Sequence, residues 1–318
     1  MDHNTDFEQL IRNDRDSHRT RSWRGNLLGY LEKVKTDPTV TKLAHARMYD
    51  VVMKAGVRDI HEKHDPRVKR LYKDESIRLY DFFAEEFFGI EKPVSQIVRF
   101  FHAASLKGEE SRQVLYLMGP VGSGKSSLVE KLHRGLEESE PFYAIDGCPM
   151  FEEPLHLIPR HLRKEFEKML GVHIEGDLCP VCRYKLIQEY AGKYEEFPVA
   201  TIEFSKRARV GIGVVPPVDP NNQDTSVLIG SEDISKLDLY SEGDPRVLEL
   251  NGALNIGNRG VVEFIEVFKN EIEYLHCMIT ATQEKVVPAP GRHGLVYVDT
   301  VIVAHSNEAE WQKFKADH

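Results

Sequence analysis

Gly119-Pro120-Val121-Gly122-Ser123-Gly124-Lys125-Ser126 is a full G-x-x-x-x-G-K-S pattern, and what flanks it decides the fold. An apolar run, Val114-Leu115-Tyr116-Leu117-Met118, leads into it. Ser127-Leu128-Val129-Glu130-Lys131-Leu132 follows with helical spacing. Strand, glycine loop and helix in that order make a phosphate cradle. Glycines let successive backbone N–H groups turn inward, and the start of the helix adds partial positive charge. Lys125 is expected to reach the β- and γ-phosphates of a nucleoside triphosphate, and the Ser126 hydroxyl to ligate Mg²⁺. Gly119, Pro120, Val121, Gly122, Ser123, Gly124 and Ser127 complete the expected contacts.

Working outward, further apolar runs occur at Phe142–Ile145, Val261–Glu266 and Val298–Ala304. Their alternation with helical segments predicts an α/β fold: a parallel sheet with helices on both faces. Residues 1–75 read as an N-terminal helical region, with Leu27, Leu28, Leu31 and Val34 at helical spacing before Asp37-Pro38. A second helical stretch covers Val40 to Ala55, and a basic stretch runs from His64 to Lys73. Helical signals return at Leu79–Phe88 and, after Pro93, at Val94–Ala104. Residues 76–318 form the core. Within it, 146–251 is an insertion too long for an unstructured loop, and so is expected to be a small subdomain. It holds a helical segment at Leu162–Leu170 and strands at Val199–Phe204 and Val210–Val215.

Composition excludes several classes. A chain of 318 residues with 41% hydrophobic and 29% charged residues suits a soluble globular protein. The formal net charge of −9 argues against a general nucleic-acid binder. No apolar run approaches the ~20 residues of a membrane span, and no secretory leader pattern opens the sequence. A cytoplasmic location is the expectation.

Triphosphate chemistry also needs an acidic residue at the end of a neighbouring strand, to hold the metal or polarise the attacking water. Gly252-Ala253-Leu254 and Asn258-Arg259-Gly260-Val261-Val262 resemble the approach to the Walker B strand in AAA+ ATPases of the chelatase, MCM and Lon group. The resemblance puts Glu266 at the catalytic carboxylate. Ile265 stands where an Asp is usual, so Glu263 becomes the substitute metal carboxylate. Strand alternation places Glu263 and Glu266 on opposite faces unless the strand ends early. The strand ending Ala304-His305-Ser306-Asn307 resembles sensor 1, which implies that Asn307 orients the attacking water. Phe88-Gly89-Ile90-Glu91 resembles the segment that packs on adenine, through Gly89 and Ile90.

Four longer stretches narrow the resemblance. Tyr116–Ser127, Asn221-Asn222-Gln223-Asp224, Val262–Lys269 and Ala304–Trp311 are together similar to the PrkA family of bacterial proteins, from about Gly25 onward. That family shares the Glu-x-x-Glu form of Walker B. The likeness implies an ATP- and Mg²⁺-dependent serine protein kinase with an AAA+ module, assembling as a homo-oligomeric ring on protein substrates, in a setting of starvation, stress or sporulation. A Lon-like ATP-dependent protease motor and a non-hydrolysing nucleotide-gated scaffold are the alternatives. It also implies that the lid and arginine finger lie beyond sensor 1, so weak or absent turnover is expected of this chain alone. No eukaryotic-type kinase signature occurs in the sequence.

Cys179-Pro180-Val181-Cys182 has the spacing of a zinc knuckle. Cys148-Pro149 is a candidate third ligand, with His156, His161 and His173 as candidates for the fourth. Two free thiols are the competing reading. Cys277 reads as a core residue.

Overall fold

The computed structural model describes residues 3–60, 77–217, 224–270 and 272–317. The basic stretch 64–73 and Asn221-Asn222-Gln223 lie outside the described residues.

A four-stranded sheet carries the fold. Its strands, all parallel, lie in the order Leu115–Met118, Val301–Ser306, Val261–Ile265, Ile212–Val215. The two middle strands are buried on both faces, which is why they read as unbroken apolar runs. Val261, Val301 and Val303 face one core, with the helices Ala44–Lys54, Glu91–Ser105 and Lys125–Glu137. Val262, Phe264, Ile302 and Ala304 face the other, with the helices Leu27–Thr36 and Ile272–Gln283. The chain is therefore an α/β protein with helices on both sides of a parallel sheet. Among the described residues no helix is long and apolar enough to cross a membrane.

Three local expectations differ from the structure. Phe142–Ile145 is a strand, but it leaves the parallel sheet and pairs antiparallel with Pro198–Ile202, which in turn pairs with Arg24–Asn26. A four-residue apolar run fixes strand character but not its partner. The vacant edge of the parallel sheet is taken by Ile212–Val215, from within segment 146–251. Leu79–Phe88 divides into a strand, Ile77–Tyr80, paired with Val57–Ile60, and a single helical turn at Asp81–Ala84.

The first packed helix begins with Asn26, whose side chain accepts a hydrogen bond from Gly29 N–H and caps the free amides. It buries Leu27, Tyr30 and Val34, while Leu28 is 55% exposed. The i, i+3, i+7 stripe thus runs through Tyr30 rather than Leu28.

Candidate functional site

The phosphate loop is built as its sequence demands. Gly122 and Gly124 take φ of +80° and +81°, a conformation that costs side-chain-bearing residues strain. Gly124 caps the helix Lys125–Glu137, whose first amides have no intrahelical acceptor. Val121, Ser126 and Ser127 are exposed. The Lys125 ammonium folds back over its own loop. It donates to Gly119 O and Pro120 O, both at 2.8 Å, and to Ser123 Oγ at 3.1 Å. Those three protons can be redirected to phosphate oxygens with only a side-chain rotation.

Sheet register brings the other candidates to the same end. Ser306 lies beside Met118, the last residue before the loop, and Ile265 lies beside His305. Glu266 and Asn307 follow directly, so Asn307 emerges level with Gly119 and Glu266 one residue before it. The strand does end early: Glu266 adopts φ +49°, ψ 50°, which turns it out of the pleat. Its carboxylate pairs with the Lys269 ammonium. An aromatic cluster holds this turn. Phe268 meets Tyr116 of the loop strand at 5.2 Å, Trp311 at 4.7 Å and Phe314 at 5.0 Å between ring centroids.

Asn307 caps the helix Glu308–Asp317, accepting from Glu310 N–H at Oδ1, 2.8 Å away. The cap takes the amide oxygen, so the NH₂ group is what can face a ligand.

Glu263 is placed differently. It lies 5% exposed in the layer between sheet and loop helix. Its Oε1 meets His305 Nε2 at 3.0 Å, and its Oε2 lies 3.8 Å from His133 Nε2 on the loop helix. Burial pushes the His133 imidazole down, against the pull of the Glu263 carboxylate. Neither His133 nor His305 carries a sequence signal that would single it out.

Gly89 takes φ +81° and its N–H donates to Glu91 Oε1 at 3.1 Å. Ile90 sits at the start of the helix Glu91–Ser105. The neighbouring Phe87 ring comes to 4.0 Å from where a Gly124 Cβ would stand, which brings this segment beside the phosphate loop.

A second cluster lies elsewhere. Cys148, Cys179 and Cys182 converge, joined by Glu152, and one sulfur or carboxylate oxygen from each lies within 4.8 Å of the others. All four are buried and no disulfide joins the thiols. Burial pushes the Cys179 thiol up to about 12 and the Glu152 carboxyl up to about 7. Burial also opposes ionisation of Cys148, but hydrogen bonds from the other two thiols make it the most readily ionised. His156 stands behind the cluster, with Nδ1 3.7 Å from Glu152 Oε1, whereas His173 pairs with Glu167 and His161 is exposed.

A family model described as the PrkA AAA domain matches residues 25–318. The chain belongs to this family. The ATP-dependent protease PrkA of Bacillus subtilis (strain 168) is 40% identical over 316 residues, covering 97% of this chain and 48% of that protein. Serine/threonine kinase YeaG of Escherichia coli (strain K12) is 36% identical over 258 residues, covering 79% of this chain and 40% of its own. The chain thus spans about half the length, or less, of these relatives. Among solved structures, a magnesium chelatase BchI–BchD complex aligns at TM-score 0.41 and 16% identity, over 68% of this chain and 51% of its own.

Proposed function

We propose that this chain is the ATP-binding and ATP-hydrolysing module of a serine protein kinase. The observation that supports the reading is the meeting of the phosphate loop, Glu266 and Asn307 at one end of three adjacent parallel strands. In this reading Gly119–Ser127 cradles the triphosphate, with Gly89 and Ile90 at the base. The Lys125 ammonium leaves its loop carbonyls for the β- and γ-phosphates. The Ser126 hydroxyl holds Mg²⁺, which when bound neutralises charge across those phosphates. Glu266 polarises the attacking group and Asn307 orients it through its NH₂. Glu263, flanked by two histidines and bonded to His305, acts from inside the sheet and sets the position of His305 near Asn307, rather than reaching the metal itself. We further propose that the whole protein works as a homo-oligomer on protein substrates in the cytoplasm, in a starvation or stress response.

The printed names of the two relatives differ in kind, and a protease motor is the second reading, favoured by the greater coverage of the Bacillus relative. The full-length protein, given γ-labelled ATP and casein, separates them. Phosphoserine that disappears with Lys125→Ala supports the kinase. Peptide-bond cleavage without phosphate transfer supports the protease. Nucleotide binding with neither product and no phosphate release sinks both and leaves a nucleotide-gated scaffold.

A further inference from the structure

We propose that Cys148, Glu152, Cys179 and Cys182 form a tetrahedral structural zinc site that fastens segment 146–188 beneath the parallel sheet.

Three observations carry it. The first is the donor set. Three thiols and one carboxylate, all buried, present ligand atoms within 4.8 Å of one another. Tetrahedral ligands held ~2.3 Å from one ion lie roughly 3.8 Å apart, so small side-chain adjustments close the shell. Cys148 Sγ is already 3.2 Å from Glu152 Oε2. Thiolates of this number select a soft or borderline cation over Mg²⁺ or Ca²⁺.

The second is the set of donors directed at the ligands. Met150 N–H points to Cys148 Sγ and Cys182 N–H to Cys179 Sγ, each at 3.4 Å. Cys179 caps the helix Pro180–Gln188, so the helix start favours its anionic form. Cys179 N–H donates to Glu152 Oε1 at 2.6 Å, which leaves Oε2 for the ion. His156 stands behind that carboxylate, its Nδ1 3.7 Å from Oε1, where a slight shift on metal binding would make it an outer hydrogen-bonding group.

The third is what the site would join. Its ligands come in two pairs, from the turn after the strand Phe142–Ile145 and from the start of the helix Pro180–Gln188. Between the ligands of the first pair, the Met150 carbonyl accepts from Asn258 Nδ2 at 2.7 Å. Glu153, next to Glu152, pairs with Arg259. Asn258 and Arg259 lie just before the strand Val261–Ile265, which Glu266 follows. Zinc here closes the excursion and fixes the footing of that strand, at the opposite end from the phosphate loop. Binding releases the thiol protons to solvent and needs no oxidant.

The test uses the full chain, purified without chelator or added metal. Elemental mass spectrometry should find about one zinc per chain, retained in Cys277→Ser and lost in Cys182→Ser. Because the cysteine variants could misfold, the wild-type apoprotein is also titrated with Co²⁺ under reducing conditions. It should develop the intense visible bands and thiolate charge transfer of a tetrahedral site at one equivalent. Glu152→Gln should weaken Zn²⁺ affinity at least ~10-fold in competition with a chromophoric chelator. A wild-type chain that holds no zinc and gives no tetrahedral cobalt spectrum overturns the proposal. Iron with visible absorption in place of zinc does the same. Unchanged affinity in Glu152→Gln removes Glu152 from the ligand set.

Discussion

Lys125 and Glu266 divide binding from turnover. Lys125 already engages three oxygens of its own loop, so its loss removes a charge-assisted contact to phosphate without disturbing a core. Lys125→Ala should weaken ATP binding roughly 10- to 100-fold, read by titration with a fluorescent nucleotide. Glu266→Gln keeps the size of the side chain and should leave that affinity within a few-fold. Phosphate release by the full-length protein should fall at least ~100-fold, the usual contribution of a positioned general base. Persisting turnover would remove Glu266 from the site. His45 makes a different residue-scale prediction. It is 5% exposed, its Nε2 has no hydrogen-bond partner among the described residues, and burial pushes its pKa from 6.5 down to about 4. The unfolded chain takes up this proton near pH 6.5 while the folded chain refuses it until about pH 4. Stability therefore falls as pH drops through that window, by about 3 kcal/mol from this group. His45→Leu should lose correspondingly less between pH 7 and pH 4 in urea unfolding.

At the scale of the element, the helix Leu27–Thr36 shows what packing adds to periodicity. Leu27 and Leu28 are equally apolar in sequence, yet the first is fully buried and the second 55% exposed. Leu27→Ala should cost about 2–5 kcal/mol in denaturant unfolding, and Leu28→Ala no more than ~0.5 kcal/mol. Equal costs would mean that the helix packs on another face. The phosphate-loop element was legible in full, because its chemistry lies in consecutive residues whose φ requirements only glycine meets cheaply. The strand ending in Glu266 was legible as a strand, and the early end that alternation called for is there, in the left-handed conformation of Glu266. The surroundings of Glu263 were not legible. The neighbouring His133 and His305 come from a helix and a strand far away in the chain; His133 lies in no pattern, and the stretch that holds His305 points to Asn307 instead.

Across the whole molecule, one buried network joins regions that the sequence sets apart. Glu153 accepts from Tyr30 of the first packed helix and pairs with Arg259 before the strand Val261–Ile265. Arg259 N–H bonds to Asp299 O at 2.6 Å, and the Asp299 carboxylate accepts from Ala44 N–H at 2.9 Å. Arg259 is 2% exposed, so removing either charge strands the other in the interior. Glu153→Gln or Arg259→Met should each destabilise by about 3–5 kcal/mol, whereas the double change Glu153→Leu with Arg259→Met should cost clearly less than the two added. Additive losses would show that the pair is not coupled. The sequence by itself determined the local chemistry: the phosphate loop, the apolar strands around it, the α/β class and the family, since each rests on neighbouring residues and their periodicity. Only the tertiary structure decided that Phe142–Ile145 leaves the parallel sheet and Ile212–Val215 enters it. It alone seats Glu263 between two histidines and gathers Glu152 with three cysteines. The physical reason is common to all of these. Strand partners and buried polar clusters are fixed by contacts between distant segments, which hydrophobic spacing along the chain does not encode.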